Sequence, residues 1–429
     1  MEVDILIVSH VVPYPPAHGI QIRIYKMLQW LRSEGFSVGL VVAPAVDSET
    51  EAALREVVDE LFWLPSPEPS SLPQNASWAR GGLRSAFTQV RKAIAVGVRS
   101  SLGRAEPVPR KEDPRAREKW LCPPELIALV HRAVAQCSPR AVLIQGIFLT
   151  DCFAALNRRI LRIIDTHDMF SRRLENVTRY NLPEPIQYNA EEERVRLLRC
   201  DIVLAIQEVE ARLFRALVPE REVLCIGIDF PVQGGAPSRV VPDSIAVVGS
   251  DNPANAHGLD LFLTRCWPAI KQRRPTAVLK VYGRVARTLK RRMPAVEAIG
   301  WISSLGEAYE RCAVVINPTI AGTGLKIKSV EALAYGKPLV AWENAVEGLE
   351  SEGESPFIAC ESPSAFADAV IGLLEDPGRA KALGQLALRY AAIRFERDNV
   401  YKPLRQLLCQ HFSRSAPSQN ELTNFNAVG

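Results

Sequence analysis

NPTIAGTGLKIKSVEALAYGKPLVAW, residues 317–342, is the stretch whose reading decides the fold. It starts where an apolar strand, Ala313 to Ile316, runs out. A turn of small residues follows at Gly322, Thr323 and Gly324, then a helix over about Lys326 to Ala334, stopped by Gly336 and Pro338. A second apolar strand, Pro338 to Trp342, closes the unit. Strand, Gly-rich turn, helix, strand is how a parallel α/β sheet builds an anion site. The glycines let backbone N–H groups approach a phosphate, and the helix N-terminus adds partial positive charge. Lys326 and Lys328 in the first turn oppose the helix dipole, which an anionic ligand would explain. The same residues also suit an ordinary Gly-rich turn with two solvated lysines, since the pattern is neither GxGxxG nor GxxxxGK[ST].

GTGLKIKSVEALAYGKPLVA resembles the nucleotide-sugar motif of GT-B glycosyltransferases, in particular the large retaining group called family 4. Its common form is a Glu, seven residues, then a second Glu heading an E-A-[LM]-A helix. Glu331 matches the second Glu, while Thr323 stands where the first would be. One subgroup carries G-T-G-L-K-x-K ahead of the same helix, and this chain matches that variant. The resemblance implies that Glu331 holds the ribose hydroxyls of a nucleotide. It also implies that Lys326 and the turn Thr323-Gly324-Leu325 stabilise the leaving diphosphate. Retaining members are usually thought to pass the acceptor proton to a phosphate oxygen, so no strong protein base is required.

Composition agrees with such a fold. A chain of 429 residues implies two or three domains. An apolar fraction of 47% with 23% charged residues is ordinary for a globular protein. The formal charge of +4 is small for this length and argues against a nucleic-acid partner. Nine cysteines occur singly, with no CxxC, which suits a reducing, cytoplasmic compartment and disfavours a zinc site. The acidic start, Met1 to Asp4, leads straight into a strand rather than a signal peptide, and no apolar run is long enough to span a membrane.

From the N-terminus, Asp4 to Ser9 is a continuous apolar run, as expected of a strand buried on both faces. A Pro-rich loop follows, then a helix from about Ile20 to Ser33 and a strand from Ser37 to Ala43. The loop lies at the C-terminal end of the strand, where α/β proteins bind ligands. It resembles the family's first loop, beside the donor phosphates and the acceptor. That resemblance singles out Gly19 for the donor and Arg23 for the acceptor side; Arg23 also reads as a plain surface arginine. Val46 to Leu61 reads as a helix. Trp78 to Ala105 carries six basic residues and no acid, interleaved with apolar ones, as an amphipathic helix on an anionic membrane surface would. A core-packing helix with a solvated basic face fits equally.

After a strand at Ala141 to Ile144, Gln145 and Gly146 occupy the place where many family members carry an active-site His. The strand Arg162 to Ile164 ends in DTHDMFSRR. Asp165, His167 and Asp168 cluster there without metal-ligand spacing, and the run is not the Asp-x-Asp of metal-dependent glycosyltransferases. His167 reads as a cleft residue, a hydrogen-bond donor or base, with Asp168 beside it on the acceptor side; a structural His capping the next helix is the alternative. Residues 232–243 form a Gly/Pro/Ser-rich linker. In the second half, GSDNPANAHGLDLF replaces the Arg/Lys pair that family members place on the diphosphate, which leaves Lys326 and Lys328 as the main positive charge. Helices are expected at Leu259 to Gln272, Ser364 to Leu374 and Phe395 to Phe412, the last returning to the first domain. Residues 413–429 read as a polar, disordered tail.

The fold these readings specify is GT-B: two Rossmann-like α/β domains, residues 1–231 and 240–394, facing across a cleft, with helix 395–412 completing the first. By resemblance the chain is a retaining, metal-independent, cofactor-free glycosyltransferase. It would take a UDP- or GDP-type nucleotide sugar and a glycan, lipid-linked or small-molecule acceptor, in the cytoplasm or peripherally on the inner membrane face. Two rivals stand beside it: a non-enzymatic or altered-chemistry relative, and a sugar-nucleotide epimerase. The lack of a GxGxxG after an early strand argues against a plain dehydrogenase.

Overall fold

The apolar runs become two wholly parallel sheets in a computed structural model that describes residues 2–16, 18–65, 114–154, 156–233, 240–290 and 293–414. The first sheet holds β1 (Ile5–Ser9), β2 (Val38–Val42), β3 (Glu60–Trp63), β4 (Ala141–Gln145), β5 (Leu161–Asp165), β6 (Ile202–Ala205) and β7 (Glu222–Cys225), in the order β3-β2-β1-β4-β5-β6-β7. The second holds β8 (Ser244–Val248), β9 (Val278–Tyr282), β10 (Val296–Gly300), β11 (Val314–Asn317), β12 (Leu339–Trp342) and β13 (Ile358–Cys360), in the order β10-β9-β8-β11-β12-β13. Each order reverses once, between β1 and β4 and between β8 and β11. Ligands of open parallel sheets bind outside the carboxyl ends of the strands at such reversals.

Every residue of β1, β2 and β4 is buried, because helices cover both faces of the sheet. Helix Gly19–Ser33 lays Ile24, Met27, Leu28 and Leu31 on one face. The C-terminal helix, Arg397–Arg414, joins the same layer through Val400, Tyr401, Leu404 and Leu408, and the rings of Trp30 and Tyr401 stack with centroids 4.4 Å apart. Helix Pro124–Cys137 covers the other face. The last helix of the chain thus belongs to the core of the first sheet. It runs on to Arg414, so Ser413 and Arg414 are helical rather than part of a tail.

Three local differences from the sequence reading have physical causes. The helix expected over 46–61 stops at Arg55, because Glu60 to Trp63 pair with β2. The helix expected over 259–272 is two, Pro253–Arg265 and Trp267–Arg273, meeting at Cys266. An unexpected helix, Pro377–Arg394, is capped by Asp376, whose carboxylate accepts from the Arg379 N–H at 2.9 Å. Its buried face is made of Leu383, Gly384, Ala387 and Ala391. Small residues let it approach so closely that a Cβ on Gly384 would lie 2.4 Å from the Gly336 carbonyl. That stripe carries little amphipathic signal. The basic stretch 78–105 and residues 415–429 lie outside the described residues.

Candidate active site

Helix Ile327–Ala334 follows β11 as the sequence predicts, but Lys326 is its N-cap residue rather than part of the first turn. Gly322 and Gly324 take positive φ, +97° and +73°, which bends the turn back on itself. Lys326 folds over it, and its ammonium donates to the Thr323 and Gly324 carbonyls at 2.9 and 3.1 Å. The turn also reaches the N-terminal domain. Thr323 Oγ1 donates to Asp168 Oδ1 at 3.1 Å, and the Gly324 N–H donates to Glu210 Oε1 at 2.8 Å. Gly324 is required there: a Cβ would meet Asp168 Oδ1 at 2.7 Å and the His167 carbonyl at 2.8 Å.

The facing wall grows from strand ends that stand side by side. Register places Ser9 opposite Gln145 and Gln145 opposite Asp165, all fully buried. Arg23 is not a surface residue. It is 1% exposed, and its Nε and Nη2 grip Asp165 at 2.8 and 2.9 Å. Nη2 also donates to the Ile226 carbonyl at 2.8 Å, and Nη1 donates to the Gly227 carbonyl. These bonds use most of its donors inside the fold, while the residue still borders the cleft, so the surface-arginine reading is corrected. Burial alone would raise the Asp165 pKa, but the charge and hydrogen bonds of the Arg23 guanidinium outweigh it and hold it below the carboxylate range.

His167 stands next in this row at φ +61°, a conformation that a non-glycine residue keeps only where its surroundings enforce it. Its Nε2 is 2.8 Å from Gln145 Oε1 and 4.0 Å from Asp165 Oδ2. Burial lowers its pKa despite Asp165, so the ring is neutral. An acceptor at Nε2 puts the proton there and leaves Nδ1 as the basic atom. His10 packs edge-on to Phe148 at 4.6 Å. Burial, together with His167, lowers its pKa to about 3.

Between the walls lies a cleft of about 550 Å³. It is lined from the first domain by Gly19, Arg23, His167, Asp168 and Arg173, and from the second by Asn255 and the turn Thr323 to Lys326. Of the residues singled out from the sequence, Gly19, Arg23, His167, Asp168, Thr323, Gly324, Leu325 and Lys326 therefore converge on one cleft. Glu331 does not. It is fully buried, and its carboxylate is taken by Tyr309 Oη at 2.8 Å and by Lys328 Nζ at 2.9 and 3.0 Å. In this arrangement neither Glu331 nor its partner Lys328 lines the cleft.

Charge around Lys326 comes from Asp168 and from Glu210 and Glu347, which sequence reading did not single out. Burial lowers its pKa against the pull of Asp168, Glu210 and Glu347. Asp168 pairs with Arg173 Nη1 at 2.9 Å, and Glu347 with Arg172 Nη2 at 2.7 Å. Glu210, in helix Glu208–Leu217, is fully buried, and burial reinforced by Asp168 raises its pKa to about 8. Its Oε2 has no partner among the described residues. Its only signal in the sequence is its place, beside Ala211 and one turn before Phe214, on the buried side of an amphipathic helix. Among the described residues no three His, Cys, Asp or Glu are grouped to hold a metal, and no helix is long and apolar enough to cross a membrane.

Residues 242–376, which make up most of the second domain, match the family model described as Glycosyl transferases group 1. Among solved structures the chain is similar to TarM, with a TM-score of 0.66 at 10% identity, covering 95% of this chain and 99% of that one. It is similar to sucrose-phosphate synthase from Thermosynechococcus elongatus, with a TM-score of 0.64 at 15% identity, covering 96% and 100%. It is also similar to HepE from Anabaena in complex with UDP and glucose, with a TM-score of 0.63 at 12% identity, covering 95% and 100%. No curated protein sequence matches the chain. Two parallel-sheet α/β domains facing one cleft are the GT-B architecture these structures share.

Proposed function

We propose that this chain is a glycosyltransferase that moves a sugar from a nucleoside-diphosphate sugar to a hydroxyl acceptor. The observation that carries the reading is the convergence, on one interdomain cleft, of the Lys326 turn of a glycosyltransferase group 1 domain with neutral His167 opposite it. The anomeric carbon–oxygen bond to the diphosphate breaks, and negative charge grows on the leaving group. Lys326, held at the cleft wall by two carbonyls, is a fixed cation that lowers the energy of that charge. A new bond forms from the acceptor oxygen to the anomeric carbon. The acceptor proton passes to the departing phosphate oxygen, on the sugar's leaving face, which gives retention and needs no metal.

UDP is the first nucleotide to test, because HepE is described with UDP and glucose and TarM with UDP. A glycan acceptor is likewise suggested by the fondaparinux in that TarM complex. All nine cysteines are free thiols, which fits a reducing, cytoplasmic setting. The test is a thermal-shift screen of UDP, GDP, ADP and dTDP against wild type and Lys326→Ala. A nucleotide at 100 times its dissociation constant should stabilise the wild type by about 2.7 kcal/mol and the variant far less. Equal shifts in both proteins would remove Lys326 from the site, and no shift with any nucleotide would favour a non-enzymatic relative. Conversion of the donor sugar without acceptor would point to the epimerase instead.

A further inference from the structure

Around Lys326 the carboxyl groups outnumber the cations: Asp168 and Glu184 share Arg173, Glu347 faces Arg172, and Glu210 lies in the field of Lys326. Glu210 meets the turn and the first domain at once, since its Oε1 accepts from the Gly324 N–H at 2.8 Å and from the Met169 N–H at 3.3 Å. It sits in the first turn of its helix, where the dipole favours the carboxylate form. Yet it is fully buried, its Oε2 is unpartnered, and Asp168 is a like charge beside it. Glu193 lies behind the same segment, accepting from the Phe170 and Ser171 N–H groups at 2.8 and 2.9 Å. A nucleoside diphosphate beside Lys326 adds further negative charge to this acid-rich seam.

Resting on the donor-site reading above, we infer that Glu210 is a positioning residue that holds the phosphate-facing turn as a neutral acid and takes up a proton when the diphosphate binds. The balance is simple: one proton from solvent joins the Glu210 carboxylate, no covalent bond to the ligand forms, and the Gly324 N–H keeps its acceptor at Oε1. Two observations make the step reachable. Burial already brings the Glu210 carboxyl into the neutral range, and Lys326 is a cation whose field it would have to share with the phosphates. Removal of the Glu210 charge leaves Lys326 to the ligand.

The test is calorimetric titration of UDP and, in parallel, GDP into wild type and Glu210→Gln, at pH 6.5 and 8.5, in buffers of different ionisation enthalpy. Glutamine keeps the acceptor for Gly324 but cannot titrate. At pH 8.5 the wild type should take up roughly half a proton or more per nucleotide beyond whatever Glu210→Gln takes up through Lys326 and His167. At pH 6.5, where Glu210 is already protonated, the two proteins should agree. Equal uptake at pH 8.5 with binding intact in both overturns the inference and leaves the donor site standing. No binding of either nucleotide by either protein overturns the donor site itself. Should Glu210→Gln fail to fold, infrared difference spectra of the unaltered protein at pH 8.5 serve instead. Nucleotide binding must then raise a carboxylic-acid carbonyl band, and its absence overturns the inference.

Discussion

His10 and His167, the second of which lines the cleft, are both held neutral by burial, and this gives the protein an acid-sensitive side. A folded-state pKa below the unfolded value means that the unfolded chain binds more protons. The stabilising contribution is therefore full above about pH 6.5 and is lost as pH falls from there toward about 3, the value for His10. Each pH unit in that window removes up to about 1.4 kcal/mol through His10. Urea melts at pH 7.5 and 5 should show a marked loss for wild type and a smaller one for His10→Gln; parallel losses would mean that His10 is charged or solvated in the fold. Glu210 works in the opposite sense. Its raised pKa costs stability progressively from about pH 4.5, where the unfolded carboxyl ionises, up to about 8. Glu210→Gln should consequently match wild type in stability near pH 4 and exceed it at pH 7.5. A melting comparison at those two values checks this, with a constant difference as the contrary result.

Strands show how far elements can be read from residues. Runs such as Ile5 to Ser9 and Ala141 to Gln145 are apolar without alternation because helices cover both faces of the sheet, and that pattern is local. The turn and helix after β11 were equally legible, since glycine, N-cap and helix stop all lie within twenty residues of one another in sequence. Each of β1, β4 and β5 ends on a polar residue, Ser9, Gln145 and Asp165, and the register that aligns them is a tertiary fact. Arg23 was unreadable for the same reason, as its partners lie 142 and more residues away. It anchors helix Gly19–Ser33 to β5 and to the domain exit. Arg23→Ala should cost about 3–5 kcal/mol, because Asp165 is left charged and buried without a partner. Combining it with Asp165→Leu should restore part of that loss. Denaturant melts of the single and double variants decide the matter; additive losses would show that the pair is not coupled.

At its seam the molecule combines apolar packing of Ile22, Tyr180 and Leu182 on the second domain with polar contacts between residues more than a hundred apart in sequence, which no local pattern encodes. Thr323 and Gly324 meet Asp168 and Glu210; Glu347 meets Arg172 and, at 3.2 Å, Gln207 Nε2. Beside Glu347, Gly348 lies at φ +82° against Gln207, so that an added Cβ would fall 2.0 Å from its Oε1 and 2.7 Å from its Cβ. The end of the Gln207 side chain can swing aside, but its Cβ is fixed to buried backbone, and the positive φ strains alanine further. The two sheets have separate cores and need not unfold to relieve this clash. Gly348→Ala should therefore part the domains rather than melt them. Small-angle scattering should show a larger radius of gyration with the circular dichroism spectrum retained. Nucleotide affinity in the same variant then separates two designs. If binding uses only the Lys326 turn, affinity stays within a few-fold of wild type. If the turn must first be held by Glu210 and Asp168, affinity falls tenfold or more, about 1.4 kcal/mol, and saturating nucleotide draws the radius of gyration back toward the wild-type value. An unchanged scattering profile with unchanged affinity would show that Gln207 and its loop yield at little cost, and that the seam is softer than its contacts imply.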